Sequence, residues 1–133
     1  MCVIAFAFFL FATSVNAKCG SVTYVVSGSV HSNSGDPIPS AMVSIQWMKH
    51  GRPFDEVSIQ SDMTGHFELS IQFDTWSITR RGKDICEDVL ERVSVRSVAE
   101  GFDEGIKAVS ISGADTNVDV VLSKNSKKGD GNN

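Results

Sequence analysis

The sequence predicts an all-β protein, a seven-stranded antiparallel β-sandwich, and three observations carry that prediction. Beyond the first seventeen residues, apolar side chains recur at every second position rather than at helical spacing. The alternating runs are short and separated by clusters of Gly, Pro, Asn, Asp and Ser. The chain of 133 residues, 41% hydrophobic and 21% charged, has room for one domain with an ordinary soluble balance.

The N-terminus stands apart. Met1–Ala17 carries no charged side chain, and Val3–Ala12 reads VIAFAFFLFA. As a helix, Val3–Val15 would span about 20 Å, short of the roughly 30 Å hydrocarbon core of a bilayer. Val15-Asn16-Ala17 offers small residues at the −3 and −1 positions of a signal-peptidase site, so Met1–Ala17 is expected to be a cleaved signal peptide and the protein secreted or periplasmic. A lipoprotein signal is not expected, because Asn16 and Lys18 stand where a lipobox needs a Leu-like and a small residue. No stable membrane insertion is expected after cleavage. Maturation leaves two cysteines, Cys19 and Cys86. An even pair in an exported chain points to a disulfide, and the absence of CxxC or a neighbouring His leaves a metal site or catalytic thiol weakly supported.

Val22, Tyr24, Val26, Gly28 and Val30 alternate with polar or small neighbours in the first strand. Ala41, Val43, Ile45 and Trp47 do so in the second, which places Trp47 in the core and Met42 and Met48 outside. Phe67, Leu69, Ile71 and Phe73 mark another strand, and Glu56–Gln60, Arg92–Ala99, Ile106–Ile111 and Asn117–Leu122 complete the seven. Between strands, Ser32–Pro37 forms a dense turn cluster and Asp62-Met63-Thr64-Gly65 suits a hairpin with Gly at positive φ. Asp74–Glu91 breaks the alternation. It is rich in both charges and reads as a functional loop, with Asp84–Arg92 able to form two helical turns. Lys18–Ser123 is thus the expected domain, and Lys124–Asn133, which has no apolar residue, the expected disordered tail.

Val26–Val30 with Ser34–Val43, Ser61–Leu69, and Val95–Phe102 ending in Ala99-Glu100-Gly101-Phe102 resemble the carboxypeptidase regulatory-like domains of the transthyretin-like (prealbumin-like) family. The resemblance runs over about Tyr24–Ser123 and implies a Greek-key sandwich. It also implies a role as a non-catalytic appendage, and the long charged Asp74–Glu91 segment is where the chain departs from the pattern.

Enzymatic relatives of such folds fail on their residues. Intradiol dioxygenases hold iron with two Tyr and two His, whereas Tyr24 is the only tyrosine here. Hydroxyisourate hydrolases end in Tyr-Arg-Gly-Ser, whereas this chain ends Gly129-Asp130-Gly131-Asn132-Asn133. His31, His50 and His66 match no zinc spacing and read as solvated strand residues. Asp115, Asn117 and Asp119 form a D-x-N-x-D string, but the Gly that a calcium loop needs directly after it is missing. No G-x-S-x-G elbow is present.

The net charge of −4 argues against nucleic-acid binding. No catalytic residue, metal or cofactor is expected. The sequence therefore points to an exported, non-catalytic binding or accessory module for a protein or glycan partner, with Trp76, Arg80, Arg81 and Lys83 as candidate partner-binding residues. A self-assembling subunit pairing through sheet edges (a homo-oligomer) and a small secreted hydrolase are the alternatives.

Overall fold

The computed structural model describes residues 19–49, 52–80, 83–87 and 90–126, with backbone alone at 54, 74, 76–80, 83–85 and 87. Among these residues there are ten strands and no helix. They are β1 (Ser21–Ser32), β2 (Met42–Lys49), β3 (Arg52–Gln60), β4 (His66–Asp74), β5 (Trp76–Arg80), β6 (Lys83–Glu87), β7 (Arg92–Val98), β8 (Gly105–Ser110), β9 (Asp115–Asn117) and β10 (Val120–Leu122).

Period-two patterning decides which face each strand buries. On β1 the residues Tyr24, Val26 and Val30 are buried while their neighbours are half-buried or exposed. On β2 the buried apolar set is Val43, Ile45 and Trp47, with Ser44 also buried on the opposite face, and on β7 the buried set is Val93, Val95 and Ser97. These faces meet in one core, completed by Phe67, Val118, Val120 and Leu122. Each fully buried Val, Ile or Phe contributes about 1.5–3 kcal/mol relative to exposure. At one end Tyr24, Trp47 and Phe73 pack ring against ring, with centroids 5.7–6.4 Å apart, and so join the two sheets.

One sheet runs β10-β1-β4, with β9 also on β1, and the other runs β3-β2-β7-β8. Every pairing in the second sheet is antiparallel, as alternation predicted. The first sheet differs: β1 pairs antiparallel with β4 but parallel with both β9 and β10. The chain crosses between sheets after β8, so the returning strand lies beside β1 in β1's own direction. The predicted single strand over 117–122 is broken at Val118-Asp119. There Val118 N–H donates to Ser27 O at 2.8 Å, and Asp119 accepts from both the Ser29 amide (3.1 Å) and hydroxyl (2.8 Å).

The turns also follow the sequence. Gly65 has φ +78°, and a Cβ there would sit 2.6 Å from Val30 O. Asp62 organises this hairpin by accepting from Thr64 N, Thr64 Oγ1 and His66 N at 2.7–3.0 Å. Buried Ser61 joins the 38–41 turn to β3, donating to Ile38 O and accepting from Ala41 N.

The Asp74–Glu91 segment corrects the sequence reading. Instead of a loop with two helical turns at Asp84–Arg92, β5 and β6 form an antiparallel hairpin as a separate two-stranded sheet, and β7 begins at Arg92. The β-branched residues Ile78, Thr79 and Ile85 favour extended backbone, and Ile78 lies opposite Ile85. This hairpin and the split of the last strand raise the count from seven to ten. Cys19 and Cys86 are joined by a disulfide with Cα atoms 5.6 Å apart, tying the start of the domain to β6. Thr75 N–H donates to Gly20 O at 3.2 Å beside it. Past β10, Lys124 bridges Phe102 and Asn125 N–H donates to Gly101 O at 2.9 Å. Lys124 and Asn125, the first residues of the tail expected over Lys124–Asn133, are thus held against the domain, while Met1–Lys18 and the rest of that tail, residues 127–133, lie outside the described residues.

Candidate functional site

The outer face of the β3-β2-β7-β8 sheet is set by the residues that alternate with the core positions. Register places Ser58, Ser44, Arg96 and Ile106 in one cross-strand row and Glu56, Gln46, Ser94 and Ala108 in the next. The two inner strands thus carry short Ser44 and Ser94 at the centre, with longer side chains around them. The result is an open trough of about 270 Å³, lined by Ser44, Gln46, Glu56, Ser94, Arg96, Glu104 and Ile106. Glu104 comes from the corner before β8. Gly105 makes that corner possible, since a Cβ there would lie 2.5 Å from the Leu122 side chain.

Arg96 is the trough's cation. Its Nη2 lies 3.4 Å from Glu56 Oε1 and its Nε 4.0 Å from Glu104 Oε1. Both distances exceed the 2.7–2.9 Å typical of a charge-assisted N–H···O bond. All three side chains are 42–49% exposed, so these pairs are weak and readily exchanged. Ser44 and Ser58 hydroxyls bond each other at 2.9 Å. Among the described residues the Gln46 amide and Ser94 hydroxyl have no side-chain partner. The trough therefore presents one guanidinium, two carboxylates, an amide and a hydroxyl on a rigid sheet.

The sequence-predicted candidates lie elsewhere. Trp76 and Arg80 are on β5 and Lys83 on β6, with Arg80 opposite Lys83 and Trp76 opposite Glu87, while Arg81 is outside the described residues. His31 Nδ1 is 3.2 Å from Ser32 O, His66 is exposed, and His50 is outside the described residues. Asp119 of the D-x-N-x-D string is engaged with Ser29. Sequence reasoning missed the trough. Ser44 and Gln46 were legible only as the outward phase of a strand, and the signal that joins them to Glu56, Ser94 and Arg96 is the cross-strand register.

Forty solved chains match the fold. A chlorocatechol 1,2-dioxygenase from Pseudomonas putida is similar with a TM-score of 0.54 at 10% identity, over 78% of this chain and 61% of that one. Wild-type catechol 1,2-dioxygenase from Acinetobacter radioresistens gives 0.57 at 12%, over 80% and 53%. The 3-chlorocatechol 1,2-dioxygenase of Rhodococcus opacus 1CP gives 0.54 at 13%, over 82% and 62%. The chain thus spans between about half and three-fifths of the length of these proteins. No family model and no curated protein sequence matches it. At this identity the likeness establishes the fold alone.

These findings correct the sequence reading. The fold neighbours are catechol-type 1,2-dioxygenases, not carboxypeptidase regulatory-like or other transthyretin-like domains. Gly-turn and hairpin motifs report local sandwich geometry, which unrelated families of this architecture share. The expectation of a non-catalytic module for a protein or glycan rested on that kinship and falls with it, as does the expectation that the chain is not an enzyme. The solved neighbours named here are enzymes, and the likeness itself extends to the fold.

The two-Tyr, two-His iron set does not fit this chain. Tyr24, its single tyrosine, is 3% exposed with its ring against Trp47 and Phe73 in the core. Among the described residues no three His, Cys, Asp or Glu side chains are grouped to hold a metal.

Proposed function

We propose that this chain is an exported domain, released from a Met1–Ala17 signal peptide, that acts on a small polar molecule held in the Ser44–Gln46–Glu56–Ser94–Arg96–Glu104 trough. The observation that carries the reading is the trough itself: charged and neutral hydrogen-bonding groups converging around two small central serines on a rigid sheet. Arg96 serves as the anchor. Glu56 and Glu104 accept hydrogen bonds or a proton from the bound molecule. The charge-free leader supports export, and so does the Cys19–Cys86 disulfide, which suits an oxidising compartment.

The test is a small-molecule screen by amide-resolved NMR on the mature protein, wild type against Arg96→Ala. Hits that shift the Ser44, Gln46, Ser94 and Arg96 amides and vanish in the variant are expected. Hits that map elsewhere, or survive Arg96→Ala, overturn the reading.

A further inference from the structure

The charge layout of the trough narrows what it holds. Arg96 stands between two carboxylates that neither approaches closely, at 3.4 and 4.0 Å, and its side chain is 49% exposed. A guanidinium offers five donors in a planar fork, and its best partner is a carboxylate bound by two parallel N–H···O bonds. Neither Glu56 nor Glu104 makes that bidentate contact. A ligand carboxylate that does so displaces two weak pairs and gains one strong one.

The displacement frees both glutamates beside the newly bound anion. Arg96 and the two glutamates together give the trough one net negative charge, and the whole chain carries −4. A ligand bearing only a carboxylate would leave two carboxylates facing a third. An ammonium group on the same ligand resolves this by taking Glu56 and Glu104 as acceptors while the carboxylate takes Arg96.

The third feature is apolar. Ile106, 66% exposed, lines the trough opposite Arg96 in the cross-strand row. Val98 and Met42, 46% and 44% exposed, lie opposite each other further along the same outer face. A trough of about 270 Å³ lies just below the usual range of ligand-site volumes, which suits only a small molecule.

We infer that the trough binds a small amino-acid zwitterion with an apolar side chain: carboxylate on Arg96, ammonium between Glu56 and Glu104, side chain against Ile106. This inference rests on the trough being the ligand site and adds the class of ligand.

Three probes of one skeleton test it on the mature protein by amide-resolved NMR titration: L-leucine, 4-methylpentanoate, which lacks the ammonium, and 3-methylbutylamine, which lacks the carboxylate. L-Leucine is expected to shift the Ser44, Gln46, Ser94, Arg96 and Ile106 amides and to bind about tenfold or more tightly than either single-charge probe. Arg96→Ala abolishes the shifts, and Glu56→Gln with Glu104→Gln removes the advantage of L-leucine over 4-methylpentanoate. All three variant positions are solvent-exposed, and circular dichroism checks that the folds match.

A single-charge probe that binds the trough as tightly as L-leucine overturns the zwitterion inference while leaving the trough as the site. Trough hits in the broad screen with no response to L-leucine do the same. Failure of every compound at the trough overturns both.

Discussion

Gly28 of β1 and Val118, the first residue of the break between β9 and β10, lie so close that a Cβ on Gly28 would sit 1.9 Å from the Val118 carbonyl oxygen. The same Cβ would be 2.9 Å from the Phe67 ring. The hydrogen bond from Val118 N–H to Ser27 O, 2.8 Å, holds this approach in place. Gly28→Ala therefore forces the broken strand off β1 and is expected to cost about 3 kcal/mol or more. Chemical denaturation measures it, and an unchanged midpoint would show that the two strands do not meet this way.

The Cys19–Cys86 disulfide closes a loop with a sequence separation of 67 residues. On the chain-entropy account its loss costs up to about 4 kcal/mol. It also releases a two-stranded hairpin, an element marginally stable alone. Reductant, or Cys19→Ser with Cys86→Ser, is expected to lower the denaturation midpoint and to speed tryptic cleavage within Trp76–Glu87. Identical midpoints with and without reductant would contradict this.

Ser40 occupies the left-handed region at φ 56° while its N–H donates to Ser61 O at 3.0 Å. Glycine adopts that backbone without steric cost. Ser40→Gly is expected to raise stability by about 0.5–1 kcal/mol, the relieved strain exceeding the added chain entropy. A drop in the thermal midpoint would refute the assignment of strain.

Hydrogen bonds from the Thr64 hydroxyl, Thr64 N–H and His66 N–H hold the Asp62 carboxyl below its usual pKa. A depressed folded-state pKa contributes stability above the unfolded value, and that contribution disappears as pH falls through the folded value. Asp62→Ala should thus lower the thermal midpoint near about pH 6, and the gap should narrow toward about pH 2–3. A gap independent of pH would mean that the charge plays no part.

Arg96→Ala removes only exposed, loosely spaced ion pairs. Its effect on folding stability is expected to stay within about 0.5 kcal/mol. Thermal denaturation checks this. A large loss would make Arg96 a structural residue and disqualify it as a ligand anchor.

The sequence was a reliable guide wherever burial alone decides. Val26, Val43, Ile45, Trp47, Val93 and Val95 lie in the core because a strand's period of two leaves an apolar residue no other face. The turn at Asp62–Gly65 was equally legible, since positive φ at Gly65 and the Asp62 carboxylate both act within four residues. The Asp74–Glu91 segment misled because its charges mask an extended hairpin, whose β-branched residues find their partners only on pairing. Motif resemblance misled about family for a related reason: Gly-containing turns encode sandwich geometry, which several lineages share.

By itself, the sequence determined the all-β class, the inward and outward face of most strands, and the two cysteines available to pair. Tertiary structure alone decided that β1 is flanked by parallel strands, that Gly28 accommodates Val118, and that Ser44, Glu56, Ser94, Arg96 and Glu104 line one trough. Alternation is a local property of a strand and can be read along the chain. Register and sheet order come from burying one shared core, and they bring together side chains that nothing in their sequence spacing connects.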